Sequence, residues 1–474
     1  MPTATEIRAH YEQAGQSQVF RYFDELSALD QRTLVEQASE IDLSELHNLV
    51  DTLVSSKGGD PSGEKWAPAP YISLPTKEGK EDQWEKAFAR GEEALSAGKV
   101  AAFTVAGGQG TRLGYDGPKG TFPVTPVTGA SLFQVFAEKI QAARQRYQSS
   151  IPWLIMTSPI NHESTVSFFE KHEYFHLPKE EVRFFSQGFM PAVDAQGNIL
   201  LQDKGQIAIS PDGHGGSLRA LVRSGCVDFL KERGIDLISY FQVDNPLVRC
   251  LDPAFLGFHL LGESELTSKA CLKAYPEEKV GVFATSEGKT QVLEYSDLPD
   301  ELAHRRDASG ELAFRAGSIA IHIFSRSLVE RLGKATSMDA TSLPFHLAHK
   351  KVPFLSESGE LIRPETPNGY KFEMFVFDAL PFAANPLVIE TAREDDFSPV
   401  KNAEGIDSPS SAKADQLRQY ARWAKAAGLE LETDETGLPS ITFEVSPLYA
   451  DDAKSFAAQV STNPPSIEEG TVLR

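Results

Sequence analysis

A glycine-rich loop that carries two cations is the part of this sequence with the clearest chemistry. An apolar run over 100–105 predicts a buried parallel strand, and Gly107, Gly108, Gly110 and Gly114 follow it closely. Arg112 lies within the loop, and Lys119 comes after it behind a proline. Glycine lets backbone N–H groups approach a ligand closely, and such amides beside fixed cations favour a polyphosphate. Residues 105–120 therefore predict a phosphate-binding loop, with a plain connecting turn as the alternative.

Two familiar phosphate-loop patterns do not fit this segment. The dinucleotide-binding fingerprint requires a third glycine at position 113, which is leucine here. The Walker pattern requires Gly-Lys-Ser/Thr, whereas Lys119 stands between a proline and a glycine. The loop must therefore belong to another class of phosphate site.

The loop resembles the signature of nucleotide-sugar pyrophosphorylases, which combines Gly-Gly-x-Gly-Thr-Arg-Leu-Gly with a downstream Pro-Lys. Within the UDP-sugar pyrophosphorylase family (UDPGP type), it is most similar to the eukaryotic-type UDP-N-acetylhexosamine pyrophosphorylases. Further segments resemble this family in the same order, namely 185–192, 210–216, 243–245, 294–296, 316–320 and 393–402. The resemblance thus extends over roughly residues 98–402, with a weaker match at 444–448.

This resemblance implies a uridylyltransferase that joins UTP to a sugar 1-phosphate and releases pyrophosphate. The attacking phosphate oxygen is already a nucleophile at neutral pH, so catalysis depends on positioning and charge neutralisation. The family pattern implies catalytic roles for Arg112, Lys119 and Lys401 as phosphate-binding cations. It also implies Mg²⁺ as cofactor, with Mn²⁺ as the alternative, and Asp244 after a buried strand as its ligand.

The resemblance implies a further set of residues that contact the substrates. The expected nucleotide-binding residues are Val105, Ala106, Gly107, Gly108, Gln109, Gly110, Gln187 and Gly213. The expected sugar-binding residues are His214, Asp244, Glu294, Tyr295 and Ser318.

Two of the sugar positions depart from the hexosamine pattern, because His214 and Ser318 replace asparagines. Gly-His-Gly is found instead in the related UDP-glucose and UDP-sugar pyrophosphorylases. We expect N-acetylglucosamine 1-phosphate as the substrate, with glucose or galactose 1-phosphate as the alternative. A regulator that binds UTP or a UDP-sugar without turnover is the non-enzymatic alternative.

Residues 172–176 spell His-Glu-x-x-His, the pattern of a zinc-protease helix. Such a site needs both imidazoles on one helix face and a third ligand beyond them. A Leu-Pro pair follows His176 at once and ends the predicted helix, while Phe168, Phe169 and Phe175 favour packing into the core. The sequence therefore favours a core-packed helix end over a metalloprotease.

Composition limits the partners of the protein. The net charge of −21, with no cluster of Lys or Arg, is unfavourable for nucleic-acid binding, so phosphates require a local basic site. Three scattered cysteines are too few for a disulfide framework, and no apolar stretch or leader pattern indicates a membrane or an export signal. We expect a cytoplasmic protein, a monomer or weak homo-oligomer, that binds UTP and a sugar 1-phosphate but no nucleic acid and no membrane.

Alternating strand-like and amphipathic runs after residue 98 predict an α/β fold, with buried strands over 153–158 and 236–243. The resemblance implies a Rossmann-like, GT-A-like nucleotidyltransferase domain with a mixed sheet over 98–390. A helical N-terminal segment over 1–97 includes a loop at 55–63, and a small α+β C-terminal domain over 391–474 has a helix at 417–427 and a strand at 441–445. Since ligands gather at the carboxyl ends of strands, the glycine loop and Asp244 are expected at one edge of the sheet.

Overall fold

The computed structural model describes residues 3–55, 65–336, 339 and 341–474. As far as they are described, these residues form two compact units. The first comprises Met1–Gly63, Gln187–Ala220 and Leu332–Asp378, and the second comprises Glu64–Ser186, Leu221–Arg331 and Ala379–Arg474. The loop expected over 55–63 lies, after Ser55, outside the described residues. The domain boundaries drawn from the sequence at 97/98 and 390/391 stay predictions.

The helices begin where the sequence supplies caps. Thr3 and Asp452, for example, each accept a hydrogen bond from the first turn of the helix that follows. Among the described helices, none is long and apolar enough to cross a bilayer. In chain order the α-helices are α1 (Ala4–Gln13), α2 (Ala28–Glu40), α3 (Leu43–Leu49), α4 (Pro75–Glu78), α5 (Glu81–Ser96), α6 (Leu132–Tyr147), α7 (His162–Lys171), α8 (Ser217–Arg223), α9 (Cys226–Glu232), α10 (Pro253–Leu261), α11 (Asp300–His304), α12 (Arg326–Lys334), α13 (Arg393–Asp396), α14 (Pro409–Ala426) and α15 (Ala453–Thr462).

The strands are short and mostly buried. In chain order they are β1 (Ala67–Pro68), β2 (Val100–Val105), β3 (Trp153–Thr157), β4 (Val182–Ser186), β5 (Phe189–Pro191), β6 (Leu201–Asp203), β7 (Gln206–Ile207), β8 (Ile209–Pro211), β9 (Leu237–Gln242), β10 (Leu266–Leu272), β11 (Val282–Ser286), β12 (Lys289–Leu293), β13 (Ala316–Ser325), β14 (Phe345–Lys350), β15 (Phe354–Leu355), β16 (Leu361–Ile362), β17 (Gly369–Met374), β18 (Leu387–Glu390), β19 (Glu444–Val445) and β20 (Val472–Leu473).

A mixed sheet forms the centre of the second unit, with ten strands among the described residues. Strands β9, β2, β3 and β4 lie side by side and parallel. Strand β13 pairs antiparallel with β9 and with β10, and β18 adds to β10 in parallel. β2 and β3 read as continuous apolar runs because both faces of this region are covered. The predicted α/β class with a mixed sheet is confirmed.

Aromatic side chains fill the space between this sheet and its helices. Phe133 on α6 and Phe169 on α7 both pack edge-on against Trp153 of β3. The indole N–H of Trp153 donates to the Thr104 hydroxyl (2.8 Å), so its one polar atom is paired within the core. The three cysteines, Cys226, Cys250 and Cys271, are buried and free, as their scattered positions predict.

The first unit combines helices α1–α3 with small antiparallel sheets. β14 pairs with β17, and β5 pairs with β8. Gln16 after α1 donates to the Gly197 carbonyl (3.0 Å), and Gln37 of α2 accepts the Ile207 N–H (3.1 Å). Glutamine side chains thus tie the N-terminal helices to strand backbone that lies far along the chain.

The C-terminal part of the second unit differs in detail from expectation. α14 starts at Pro409, eight positions before the predicted 417, because Ser408 caps it and proline at the first position suits a helix start. Only Glu444 and Val445 of the predicted strand over 441–445 form β19. The Glu444 carboxylate instead accepts the backbone N–H of Val127 and of Thr128, at 3.0 and 2.8 Å.

Candidate active site

The glycine loop leaves the carboxyl end of β2 and closes on itself. The Gly110 N–H donates to the Gly117 carbonyl (2.9 Å), and the Lys119 N–H donates to the Gly108 carbonyl (3.0 Å). A Cβ on Gly110 would lie 2.7 Å from the Tyr115 ring. Glycine at this position is therefore a packing requirement, and the loop is a compact structure with fixed amide directions.

Asn161, on the loop after β3, holds the glycine loop from the neighbouring strand. Its fully buried side chain donates to the carbonyls of Ala106 (2.9 Å) and Gly108 (3.3 Å) and accepts the Ser158 N–H (2.8 Å). Sequence reasoning missed this residue. The available signal was a polar side chain just after the next parallel strand, where ligand-binding edges are built.

Lys119 and Asp244 meet at the carboxyl edge of the sheet. The Lys119 Nζ lies 3.3 Å from the Asp244 Oδ2, and the two side chains are only 17% and 12% exposed. Arg112 lies in the turn Thr111–Leu113 and is exposed. The structure therefore brings Lys119, a predicted phosphate-binding cation, next to Asp244, the predicted metal ligand, and leaves Arg112 exposed to solvent on the glycine loop.

The segment that carries Lys401 approaches the same edge through its backbone. The Val400 N–H donates to the Asp244 carbonyl oxygen (2.7 Å). The next two residues, Lys401 and Asn402, donate their N–H groups to the Asp407 carbonyl (2.7 and 2.9 Å). A backbone hydrogen bond thus joins Asp244 to the residue directly before Lys401, although the two lie more than 150 positions apart in sequence.

Asp407 is a second residue that sequence reasoning missed. Its backbone has φ of +57°, which is uncommon for a residue other than glycine. Burial raises the pKa of its carboxyl group, while the charge of Lys401 acts in the opposite direction. Its position directly before the Ser-Pro start of α14 was the only sequence signal.

Glu294 and Ser318, two of the predicted sugar-binding residues, both lie next to Gly281. The Ser318 N–H donates to the Gly281 carbonyl (2.8 Å), and a Cβ on Gly281 would lie 3.0 Å from the Glu294 Oε1. Tyr295 follows Glu294 directly and is 50% exposed. Because β13 pairs with β9, Ser318 lies on the strand next to the one that leads to Asp244.

Gln187, Gly213 and His214 belong to the first unit. Gln187 is buried. Gly213 has φ of +83°, and a Cβ there would lie 2.4 Å from the Met374 carbonyl oxygen, so glycine is required.

The imidazole of His214 has a defined tautomer. Its Nδ1 accepts the Val376 N–H (3.1 Å), which leaves the proton of the neutral ring on Nε2. Burial, together with the neighbouring His346, lowers the pKa of His214 to about 4. His214 is therefore a neutral hydrogen-bond donor at physiological pH.

The His-Glu-x-x-His segment does not form a zinc-protease helix. α7 ends at Lys171, and Tyr174 and Phe175 take positive φ of 53° and 52° in the tight turn that follows. The imidazoles of His172 and His176 therefore do not share a helix face. Phe175 is buried in the core, as predicted. Across the part of the chain that the structure describes, no group of three or more His, Cys, Asp and Glu side chains is arranged to hold a metal.

Comparisons with known proteins agree with this geometry. Residues 70–421 match the family model described as UTP–glucose-1-phosphate uridylyltransferase. The UDP-N-acetylhexosamine pyrophosphorylase-like protein 1 of Xenopus tropicalis is 37% identical, covering 92% of this chain and 88% of the relative. The UDP-N-acetylglucosamine pyrophosphorylase of Saccharomyces cerevisiae is 35% identical, covering 90% and 92%.

A solved structure has a similar fold over the whole chain. The crystal structure of the uridine diphosphate N-acetylglucosamine pyrophosphorylase from Trypanosoma brucei, in complex with an inhibitor, has a TM-score of 0.84 and 25% identity. It covers 100% of this chain, and 98% of the crystallised chain is matched. The resemblance drawn from the ordered motifs is thereby confirmed, and so is the fold.

Proposed function

The chain belongs to the family of UTP–glucose-1-phosphate uridylyltransferases, and from this membership we propose that it transfers the uridylyl group of UTP to a sugar 1-phosphate. An oxygen of the sugar phosphate attacks the α-phosphorus of UTP. The bond from that phosphorus to the bridging oxygen breaks, and pyrophosphate leaves with the bond electrons. The observation that carries the proposal is the shielded Lys119–Asp244 pair beside a compact glycine loop.

Each cation near this edge has a role in bringing two polyanions together. Lys119 is bonded through its backbone N–H to the Gly108 carbonyl of the loop, and its ammonium group neutralises charge on the leaving pyrophosphate. Lys401, one residue from the bond between Val400 and Asp244, stabilises the transferring phosphoryl group. Arg112 is exposed on the loop and binds the triphosphate as it enters.

Asp244 fits a role as the protein ligand of Mg²⁺, with Mn²⁺ as the alternative. Mg²⁺ is commonly held by one or two carboxylates, while substrate phosphates and waters complete its coordination. A single shielded carboxylate at the phosphate-binding edge satisfies this requirement. When bound, the metal ion would neutralise phosphate charge and polarise the reacting phosphoryl group.

We propose N-acetylglucosamine 1-phosphate as the sugar substrate, with glucose or galactose 1-phosphate as the alternative. The relatives named above support the amino sugar. The replacement of the family's asparagine by His214 is compatible with this substrate. The neutral His214 ring keeps its Nε2 proton and can donate a hydrogen bond, as the side-chain amide of asparagine would. At the second position that differs from the family pattern, the hydroxyl of Ser318 stands on a shorter side chain than the amide of the asparagine that it replaces.

The proposal is tested by measuring pyrophosphate release from UTP in the presence of Mg²⁺ and a panel of sugar 1-phosphates. The panel contains the 1-phosphates of N-acetylglucosamine, N-acetylgalactosamine, glucose and galactose, with ATP and CTP in place of UTP as controls. We expect UTP-dependent release that is fastest with N-acetylglucosamine 1-phosphate. Faster release with glucose 1-phosphate would reassign the sugar. UTP binding without release of pyrophosphate in the presence of any of these sugar phosphates would instead support the non-enzymatic regulator.

We further propose that the protein acts in the cytoplasm as a monomer or weak homo-oligomer. The support is its three free, buried thiols, which are typical of a reducing compartment. Cell fractionation and light scattering of the purified protein test the two statements. Recovery in an oxidising compartment or a stable large oligomer would contradict them.

A further inference from the structure

We propose that Asn245 is a positioning residue whose side-chain amide sets the register between the loop of Asp244 and the segment of Lys401. The inference rests on the proposed function, because it assigns Asn245 a task in that reaction. Asn245 is 5% exposed. Its Nδ2 donates to the Asp396 carbonyl (2.6 Å), and its Oδ1 accepts the Ser398 N–H (3.0 Å).

A third bond follows along the chain at Val400, the residue directly before Lys401. The Val400 N–H donates to the backbone carbonyl of Asp244 (2.7 Å). Contacts therefore recur at residue 396, the last of α13, and at residues 398 and 400 of the non-helical stretch that follows it. Asn245 supplies two of these three bonds from its side chain, because the residue that follows it is proline and the chain turns away.

The segment is fixed independently on its upstream side. The Asp396 carboxylate accepts the Arg249 N–H (2.8 Å) and the Lys269 ammonium (2.6 Å), and it is also bonded by the Thr391 hydroxyl. Lys269 bridges on to the Asp252 carboxylate (2.8 Å). Asp396 is thus anchored in a buried ionic cluster. The stretch beyond it is held by Asn245, by the Val400 bond to Asp244, and by the Ser398 hydroxyl, which donates to the Asp415 carboxylate (2.7 Å).

The geometry of an extended chain sets the consequence of losing the amide. In the non-helical stretch after Asp396, a shift of the chain by one residue would move the next side chain by about 3.3 Å. Electrostatic catalysis depends on a fixed cation, and a misplacement of about 1 Å is enough to reduce a rate by about 100-fold. Asn245 therefore acts on the reaction through Lys401, and its effect depends on that lysine being present.

A double-mutant cycle tests this dependence. We expect Asn245→Ala to lower kcat by about 10- to 100-fold with a smaller change in KM for UTP. In a Lys401→Ala background, the same substitution should lower kcat by less than about threefold. If the two effects simply multiply, Asn245 has a structural role only and the inference is overturned.

Asn161→Ala is the matched control. Asn161 is also buried at the same edge, and its side chain also bonds only to backbone, but it holds the glycine loop. Its effect should multiply with that of Lys401→Ala. Asn245→Asp is the second variant in case Asn245→Ala does not fold: it keeps the acceptor for Ser398 but loses the donor to Asp396, so the same loss of additivity is expected.

Hydrogen exchange gives a readout that does not require turnover. In the folded Asn245 variants, the backbone N–H groups of Ser398 and of 400–402 should exchange faster, whereas those of the glycine loop should be unchanged. Asn161→Ala should show the reverse. Unchanged exchange at 398–402 overturns the inference. If the wild type released no pyrophosphate in any assay, the proposed function would fail, while the exchange experiment would still decide the role of Asn245.

Discussion

Lys119 and Asp244 form an ion pair in which each charge is largely shielded from water. Each side chain is more than four-fifths buried, so deleting one leaves the other shielded from water without its partner. Another Lys–Asp pair lies at the amino ends of β2 and β9, the strands whose carboxyl ends lead to the glycine loop and to Asp244. Here the Lys99 Nζ lies 3.7 Å from the Asp236 Oδ2. That pair is about half exposed and has no phosphate-binding loop beside it.

Lys119→Ala and Asp244→Ala should each lower kcat by about 100-fold or more, because they remove charge stabilisation of the transition state. Lys99→Ala is the matched control and should leave kcat within about twofold of the wild type, since exposed ion pairs contribute little. Steady-state pyrophosphate release measures all three. Near-normal turnover in either of the first two variants would show that the site is assigned wrongly.

His214 predicts a pH dependence of stability. The unfolded chain binds this proton near pH 6.5, whereas burial and His346 lower the pKa of the folded group to about 4. Between these values the unfolded state holds more protons, so the contribution of His214 to stability is complete above pH 6.5 and is lost as the pH falls towards 4. We expect the free energy of unfolding of the wild type to decline relative to that of His214→Asn over this range.

Urea denaturation at several pH values measures that difference. His349→Asn on β14 is the control, because this imidazole is exposed to water. This variant controls for the replacement of a histidine by an asparagine at an exposed position. A wild type and His214→Asn that change in parallel from pH 6.5 to 4 would contradict the tautomer and burial assigned to His214.

At this scale the sequence offers candidate ligand-binding residues, but it does not reveal the residues that hold those candidates in place. The glycine loop, Lys119 and Asp244 stand in recognisable order because the chemistry demands fixed types at fixed spacing. Asn161 and Asn245 bind only backbone atoms of distant segments, and such partners exist only after folding. Their roles therefore could not be predicted from spacing alone.

At the scale of elements, burial on both sides makes strands readable. β2 matches its predicted bounds, and β3 and β9 fall within theirs, because a strand covered on both faces is apolar throughout. Turns and helix starts are less readable. The sequence pattern predicts that the helix continues to His176, but a turn with left-handed backbone at Tyr174 and Phe175 takes its place. Packing of Phe175 into the core overrides the local helical preference.

Helices α5 and α10 cross so closely that two glycines are required between them. A Cβ on Gly91 would lie 1.8 Å from the Pro253 carbonyl oxygen, and one on Gly257 would lie 1.6 Å from that of Ala87. Both contacts are to backbone, which cannot move aside as a side chain does. In an isolated helix alanine would be favoured over glycine by about 1 kcal/mol, so any destabilisation must come from the crossing.

Gly91→Ala and Gly257→Ala should each reduce the free energy of unfolding by about 1–3 kcal/mol, as overpacking typically does. Ala89→Ser on the exposed face of α5 is the control and should change it by about 0.5 kcal/mol or less. Denaturant titration followed by circular dichroism measures each variant. A gain in stability for either glycine variant would show that the two helices lie further apart.

At the scale of the whole molecule, the two compact units interleave along the chain. The first unit is assembled from three separate stretches, and pairings such as Val193 with Tyr370 close it. Such contacts join residues far apart in sequence and depend on hydrogen bonds that carry no local pattern. The α/β class is predictable from the alternation of strand-like and helical segments along the chain. The assignment of separate stretches to one unit depends on pairing between distant residues, which the local sequence does not reveal.

The net charge of the chain opposes the substrates that it binds. With a formal charge of −21, the molecule repels UTP at long range, while in the proposed function Lys119 and Lys401 attract phosphates only within a few ångströms. Salt screens exposed charges beyond about 10 Å at 0.1 M but acts much less on shielded pairs in contact. Raising the salt concentration therefore weakens the repulsion more than the attraction.

We accordingly expect kcat/KM for UTP to hold steady or rise, by up to about threefold, when ionic strength increases from about 0.01 to 0.15 M at constant free Mg²⁺. Steady-state kinetics in sodium chloride and in potassium acetate separate screening from ion-specific binding. The Lys99→Ala variant, which makes the chain one unit more negative far from the loop, should show the same dependence. A steep fall of kcat/KM over this range would mean that long-range attraction guides UTP, and that the cations around the glycine loop extend their field well beyond the site described.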